Sequence, residues 1–290
     1  MRFKQQKTRS VDGLGLAKEG TIRTTSPSLH GLWKVHPSLN LRASVAQSLR
    51  APKFDDLSSI TQTASGTNSA TNPDKSGNPE LRPEKALGTE IALEYFLPAR
   101  AGVAGLNFFN RDVKDLVQKE TRLEGARYVE RPYNVGDARI WGAELDVKTR
   151  MDAIGLKNLT LRANYAWLNS KVAATGKRMK DQPEYVYNVG FDYALPWGLT
   201  LGATYNHKPA FVKDDTATKY EAEPAQKLLD VYVAKKIGKH LNLRLTAGNA
   251  LDADKDKDKR EFHSNGNVKK LERELEKGAP RLFLALEGVW

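Results

Sequence analysis

From about residue 27 onward the chain alternates between apolar side chains and small or polar ones, and this period of two constrains its fold more than any other feature. Leu199, Leu201, Ala203 and Tyr205 alternate with Thr200, Gly202, Thr204 and Asn206. Leu241, Leu243, Leu245 and Ala247 alternate in the same way with Asn242, Arg244, Thr246 and Gly248, and the pattern returns in 159–167 and 187–195. Successive strand residues point to opposite faces, so each segment carries one apolar and one polar face. No run reaches the roughly 18 to 20 apolar residues that a membrane-spanning helix needs. With 40% hydrophobic residues, the chain is also poor in material for a large closed core.

The polar face separates two kinds of all-β protein. A soluble sandwich turns Lys, Glu and Thr to bulk water. Here that face is rich in Gly, Asn, Ser and Ala, while Tyr and Trp gather near the segment ends of the apolar face. A barrel with an aqueous lumen and an aromatic girdle has this pattern. Connection lengths agree. Short links at 35–38, 98–102, 151–157, 196–198 and 238–240 alternate with longer polar stretches at 51–83, 121–127, 171–183, 211–225 and 251–279. Transmembrane barrels join their strands by short periplasmic turns and longer extracellular loops. Eleven strands follow: 27–35, 38–50, 84–97, 103–120, 128–149, 158–170, 184–195, 199–210, 226–237, 241–250 and 280–290, with a stub at 1–8 as the tail of a twelfth. Tyr128 to Thr149 is read as one long strand, because a hairpin at Gly136-Asp137 breaks the loop parity. The fold class is therefore all-β, an antiparallel transmembrane β-barrel.

Several function classes recede at this point. The formal charge of +11 raises nucleic acid as a partner. The chain has no zinc-finger spacing, basic helix or aromatic RNA-binding signature, so no nucleic-acid partner is expected. A basic surface equally suits anionic lipid or an anionic ligand. The absence of cysteine removes disulfides, thiolate metal sites and cysteine nucleophiles. Met1 to Lys7 has no apolar core or cleavage site, so an export signal is expected upstream.

Five short motifs share one order. Arg50-Ala51-Pro52 closes a strand; Gly77-Asn78-Pro79-Glu80-Leu81-Arg82-Pro83-Glu84 leaves a loop; Gly142-Ala143-Glu144 lies within a strand; Asn249-Ala250-Leu251-Asp252 ends one; Gly278-Ala279-Pro280-Arg281 precedes the last. In this order the motifs resemble the barrel of the TonB-dependent outer-membrane receptors. The final strand, with Leu282, Leu284 and Leu286 on one face, ends at Trp290, where that family most often has Phe. The resemblance implies a place in the bacterial outer membrane, among lipid and lipopolysaccharide, and uptake of a ferric siderophore or similar scarce nutrient. It further implies energy from a TonB-type coupling complex acting through a plug domain, no cofactor and no catalysis. Members have about 22 strands around the plug, a lumen wide enough to need one. Residues 1–290 are thus expected to be a partial barrel domain, without plug or N-terminal strands. Two alternatives stand beside this reading: an outer-membrane barrel enzyme of protease or lipase type, and a secreted β-rich adhesion module.

The ligand-contact candidates are Arg122, Arg127, Tyr128, Arg131 and Tyr133 around one loop apex, together with His263. Guanidinium and phenol groups suit an anionic, aromatic chelate through charge pairing and stacking. A basic extension facing water or lipopolysaccharide phosphates explains the same residues equally well. Leu282, Leu284, Leu286 and Trp290 are expected to anchor the last strand in lipid and to signal its insertion. Asp252, Asp254, Asp256 and Asp258 lack the Gly and Glu of an EF-hand loop and read as a solvated charged loop, and Leu271 to Lys277 reads as a short surface helix. No catalytic or metal-binding set is expected.

Overall fold

The computed structural model describes residues 2–11, 17–215, 219–263 and 265–288. Trp290 lies outside them. In chain order, β1 (Arg2–Val11) pairs with β2 (Ala17–Ser26), and β3 (Ser28–His36) with β4 (Leu39–Arg50). Two short strands, β5 (Thr61–Gln62) and β6 (Asp74–Ser76), interrupt the next loop before β7 (Glu84–Phe96) and β8 (Gly102–Lys114). Then come β9 (Val117–Glu124), β10 (Arg127–Asn134), β11 (Ala138–Arg150), β12 (Leu159–Val172), β13 (Tyr185–Leu195) and β14 (Leu199–Lys208). The remainder is β15 (Phe211–Asp215), β16 (Lys219–Glu223), β17 (Gln226–Ile237), β18 (Leu241–Gly248), β19 (Lys255–Phe262), β20 (Val268–Glu276) and β21 (Arg281–Gly288).

Eleven of these build one antiparallel sheet in the order β21-β18-β17-β14-β13-β12-β11-β8-β7-β4-β3. They answer to the eleven expected strands, and each pairs with its sequence neighbour in the sheet. The two edge strands run in the same direction because their number is odd. Among the described residues no pairing joins β3 to β21, so the sheet is an open wall.

Cross-strand register sorts the faces. Leu41, Leu93, Leu106, Leu145, Tyr165 and Tyr187 form one continuous row across six strands. One residue along, Asn40, Glu94, Gly105, Asp146, Asn164, Asn188 and Asn206 form a polar row across seven. A second apolar row runs Leu159, Tyr193, Leu201, Val233, Leu245 and Leu284. The apolar rows are not covered by protein: Leu284 is 72% exposed and Ile91 55%. Soluble proteins rarely expose apolar bands of this extent; hydrocarbon covers them here. Tyr185 and Tyr193 stand at opposite ends of the apolar face of β13, roughly 27 Å apart along an extended strand. With the strand tilted by roughly 35–45°, as in barrels, that is about 20 Å of height, most of an apolar band of about 25 Å between aromatic girdles. Tyr165, Tyr185, Tyr187, Tyr205 and His207 pack ring to ring at one end, with centroids 5.0–6.5 Å apart.

The polar rows bond sideways instead. Asn188 Nδ2 donates to Asn164 Oδ1 at 2.6 Å, Arg42 pairs with Glu94 at 2.7 Å, and Arg162 with Asp192 at 2.9 Å. Two inward glycines make room for aromatic rings directly opposite them. A Cβ on Gly142 meets the Phe109 ring at 2.7 Å, and one on Gly202 meets the Tyr232 ring at 2.2–2.7 Å.

The short connections all lie along one edge of the wall and the long ones along the other, as the loop parity requires. All the long ones but that after β12 fold into two small sheets, β5-β6-β10-β9 and β15-β16-β19-β20. Two expectations change here. The segment 128–149 is not one strand, and neither is 103–120. Asp115 (φ 58°) and Gly136 (φ 111°) occupy the left-handed region and kink both chains at one level. The pairing keeps its register across the kink, with Ala138 facing Val113 and Asn134 facing Val117, so one long hairpin still rises from the wall. At its base the buried cluster Val113, Leu116, Ala138 and Val172 supplies the apolar core that the wall lacks. The second change is Leu271 to Lys277, which lies mostly in strand β20 and in no helix.

Candidate functional site

The β9–β10 hairpin carries five of the six ligand-contact candidates, and their charges are largely satisfied within the chain. Arg127 grips the buried carboxylate of Asp74 with two bonds of 2.5 and 2.7 Å. Arg131 pairs with Glu124 at 2.6 Å, and the Tyr133 hydroxyl donates to the same carboxylate at 2.7 Å. Arg122 pairs with Glu120 at 2.6 Å while its guanidinium lies 3.7 Å from the Tyr133 ring centre. The Tyr128 backbone exchanges hydrogen bonds with the Asn68 amide, at 2.7 and 2.9 Å. The Arg127 guanidinium, helped by the backbone N–H of Ala64, holds the Asp74 carboxyl far below the usual carboxylate range. Burial, with the bond to Glu124, pushes the Tyr133 phenol up. Arg127 and Tyr128 fasten the 61–76 loop onto the hairpin, while Arg122, Arg131 and Tyr133 tie the hairpin to itself.

That fastening positions a cleft that the residue pattern did not reveal. A cavity of about 570 Å³ opens between the 65–72 loop and the β19–β20 hairpin. Ser65, Thr67, Ser69, Thr71 and Asn72 line one side, and Glu261, Lys269 and Lys270 the other. Lys269 Nζ donates to Thr71 Oγ1 across a separation of 198 residues. His263 sits in the turn of the same hairpin, where its N–H donates to the Asn267 carbonyl at 2.8 Å. Arg127 and Tyr128 thus back the loop that forms one wall of the cleft, and His263 lies in the hairpin that forms the other; none of the six candidates is among the lining residues. The density of Ser, Thr and Asn from 61 to 72 is a signal that could have found the near wall, though not the lysines that face it.

Leu282, Leu284 and Leu286 lie on the apolar face of β21, against Ala247, Leu245 and Leu243 of β18. Asp254 and Asp256 enter a ladder of charges along the β19–β20 hairpin, while Asp258 pairs with Arg260 on its own strand. Asp254 pairs with Lys277, Asp256 with Arg273, and Lys259 with Glu274 across β19 and β20. Among the described residues, no three or more His, Asp or Glu side chains are placed to hold a metal ion.

The family model described as TonB dependent receptor-like, beta-barrel matches residues 1–250. The chain belongs to this family. Its sheet is part of the wall of an outer-membrane barrel of this type, which sets aside the barrel enzyme and the secreted adhesin. The iron-regulated outer membrane virulence protein of Vibrio cholerae serotype O1 is 23% identical over 199 residues, covering 63% of this chain and 28% of its own. The probable TonB-dependent receptor BfrD of Bordetella pertussis is 28% identical over 192 residues, 60% of this chain and 24% of its own. Among solved structures, the copper transporter OprC superposes with a TM-score of 0.70 at 17% identity, over 94% of this chain and 40% of its own. The ferric enterobactin receptor of Pseudomonas aeruginosa gives 0.66 at 18%, over 94% and 42%. At these identities the likeness is one of fold. The TonB-dependent receptor chain described here spans about a quarter of the length of its curated relatives and two fifths of the solved ones.

Proposed function

We propose that these residues form the C-terminal part of the barrel of a receptor that captures an anionic metal chelate, a ferric siderophore or similar scarce nutrient, at the cell surface. The plug domain and N-terminal strands lie outside these 290 residues on this reading, and the plug couples the barrel to the TonB-type complex. The observation that carries it is the cleft between the 65–72 loop and β19–β20. Its hydroxyls and amide offer hydrogen bonds to a compact anion, and Lys269 and Lys270, now paired with Glu261 at 3.8 Å and Glu272 at 2.7 Å, supply positive charge by turning from those carboxylates to it. Tyr128, Arg127 and Asp74 hold its near wall. Arg122, Arg131, Tyr133 and His263 extend the same surface. Leu282, Leu284, Leu286 and Trp290 serve insertion and lipid anchoring, apart from ligand capture.

The test is uptake of a radiolabelled ferric tris-catecholate by the complete receptor in cells lacking other receptors. Lys269→Glu with Lys270→Glu should weaken binding at least tenfold while barrel abundance holds. A protonophore should abolish uptake and spare surface binding. Unchanged affinity in the charge-reversed variant overturns the assignment of the cleft; uptake that survives the protonophore overturns the coupling.

A further inference from the structure

The short connections repeat along one edge of the wall at a regular step. Those after β7, β11, β13 and β17 lie two strands apart in the sheet, roughly 10 Å on the spacing of paired strands. Each carries an exposed long or aromatic side chain: Arg100, Lys157, Trp197 and Lys239 in turn. Trp197 is 85% exposed, the highest value among the exposed large hydrophobic residues described. It occupies the left-handed region (φ 59°), where a bulky residue is rarely found, and Arg100 shares that region (φ 55°). Lys235 of β17 donates to the Trp197 carbonyl and ties this turn to the next hairpin.

The edge is basic and electrostatically unmatched. Among the described residues, Arg100, Lys157 and Lys239 form no ion pair. Asp152 is the carboxylate of these turns, and Arg150 already holds it at 3.4 Å. The long-loop edge differs, because Arg127, Lys259, Arg273 and Lys277 each meet an Asp or Glu. Lipid headgroups beside the wall do not account for the row. Tyr193 marks the aromatic girdle on β13, and Trp197 lies beyond it, past the end of the strand. Arg100, Lys157 and Lys239 likewise stand on connections, outside the apolar rows.

We propose that this edge docks on peptidoglycan, the anionic glycan mesh on the periplasmic side of the outer membrane. Short turns face the periplasm in barrels of this kind. Carboxylates of the stem peptides reach Arg100, Lys157 and Lys239 as opposite charges meeting across an interface. A sugar ring lies on Trp197, its C–H face against the indole and its hydroxyls left to water. A repeating polymer can meet a repeating row of turns, whereas a single small anion gains nothing from the regular step. Docking tethers the barrel to the cell wall and stands independently of ligand capture by the loops.

The complete receptor, held in phosphatidylcholine nanodiscs, is sedimented with isolated peptidoglycan sacculi. The wild type should co-sediment saturably. Arg100→Glu with Lys157→Glu and Lys239→Glu should weaken binding roughly tenfold. Lys85→Glu with Lys114→Glu and Lys171→Glu, the same charge change at exposed positions of the long-loop edge, should leave it unchanged. Trp197→Ala should weaken binding about threefold, and Trp197→Tyr should keep most of it. If the triple reversal blocks assembly, Arg100→Gln with Lys157→Gln and Lys239→Gln should weaken binding about threefold. Sacculi with amidated carboxyls should bind poorly. Unchanged binding in the rim variants, or equal binding of amidated sacculi, overturns the proposal. Loss of sacculus binding when phosphatidylglycerol is added to the disc shows that lipid takes the same cations, and overturns the choice of the glycan.

Discussion

Arg127 on β10 and Asp74 on β6 form a two-pronged ion pair at 2.5 and 2.7 Å, the most buried carboxylate in the loop sheets held by a half-exposed guanidinium. Through it the 61–76 loop acquires a fixed place beside the hairpin, though little apolar surface holds it there. Removing one partner strands the other, and a buried charge left alone is costly. Arg127→Ala should therefore raise hydrogen exchange throughout 61–76. Arg127→Lys, which keeps the charge but not the fork, should rescue only part of it. Protection equal to wild type in Arg127→Ala means that the loop is held by other contacts.

The same pair sets a pH expectation. The Asp74 carboxyl titrates lower in the folded chain than in the unfolded chain, so its stabilisation is complete above the unfolded value of about 4. It declines as pH falls below that value and is gone once the folded value is passed. Loop protection should be flat from pH 8 to 5 and should fall only in acid below about 4. Asp74→Asn should remove this acid step. A transition near pH 6 points to a different group.

The wall was almost fully legible in the sequence, and the loops were not. Alternation placed all eleven strands, because a side chain on a two-faced sheet between lipid and lumen has only two environments. Leu284 and Leu245 can share a face only if the register is right, and it is. The loops answer to pairings that the local pattern cannot express. Leu271-Glu272-Arg273-Glu274-Leu275-Glu276-Lys277 has good helix propensity, yet it lies mostly in β20 because Lys255, Lys257 and Lys259 face Glu276, Glu274 and Glu272 across the hairpin. The kink at Asp115 and Gly136 was missed for a related reason: pairing continues through it, and alternation alone does not record a change of direction. The Ser/Thr cleft depends on Lys269 meeting Thr71, a contact without a local signature.

The β19–β20 ladder makes its own prediction. Glu274 holds the Lys259 ammonium above its usual range, and Lys259 lowers Glu274 in turn. Lys259→Glu should speed exchange across Lys255–Phe262, and the swap Lys259→Glu with Glu274→Lys should restore protection. Exposed pairs are screened by salt, so the difference between wild type and the single variant should shrink in high salt. A salt-independent difference indicates packing instead of charge.

On the lipid face, Leu284→Arg places a charge on the apolar row that runs through Leu245 and Val233. Arginine near the midplane of a barrel wall costs about 2–4 kcal/mol. Heat-modifiable mobility of outer-membrane fractions should show less folded barrel. Asn206→Arg, on the polar row, should be tolerated. Trp290→Phe should assemble normally and Trp290→Asp poorly. Normal assembly with lost ligand binding in Trp290→Asp contradicts an insertion role.

The inward face offers a sharper test of packing, because Gly202 and Tyr232 are direct cross-strand partners. The Tyr232 hydroxyl donates to Asp192, and the Arg244 guanidinium lies 3.8 Å from the ring centre. The ring therefore cannot swing aside without breaking contacts with both neighbours. A Cβ on Gly202 meets it at 2.2–2.7 Å, well inside contact distance. Gly202→Ala should therefore destabilise the wall by about 1–3 kcal/mol, as overpacking does. Tyr232→Ala should also weaken it, by uncovering the glycine and leaving Asp192 with Arg162 alone. In the double variant the clash no longer exists, so its loss should be smaller than the sum of the two single losses, a coupling that contacting residues show and distant ones do not. Urea-induced unfolding in detergent micelles, followed by tryptophan emission, measures all four corners of the cycle. Strict additivity means that Tyr232 moves freely off Gly202, and the aromatic cover is then not a structural constraint.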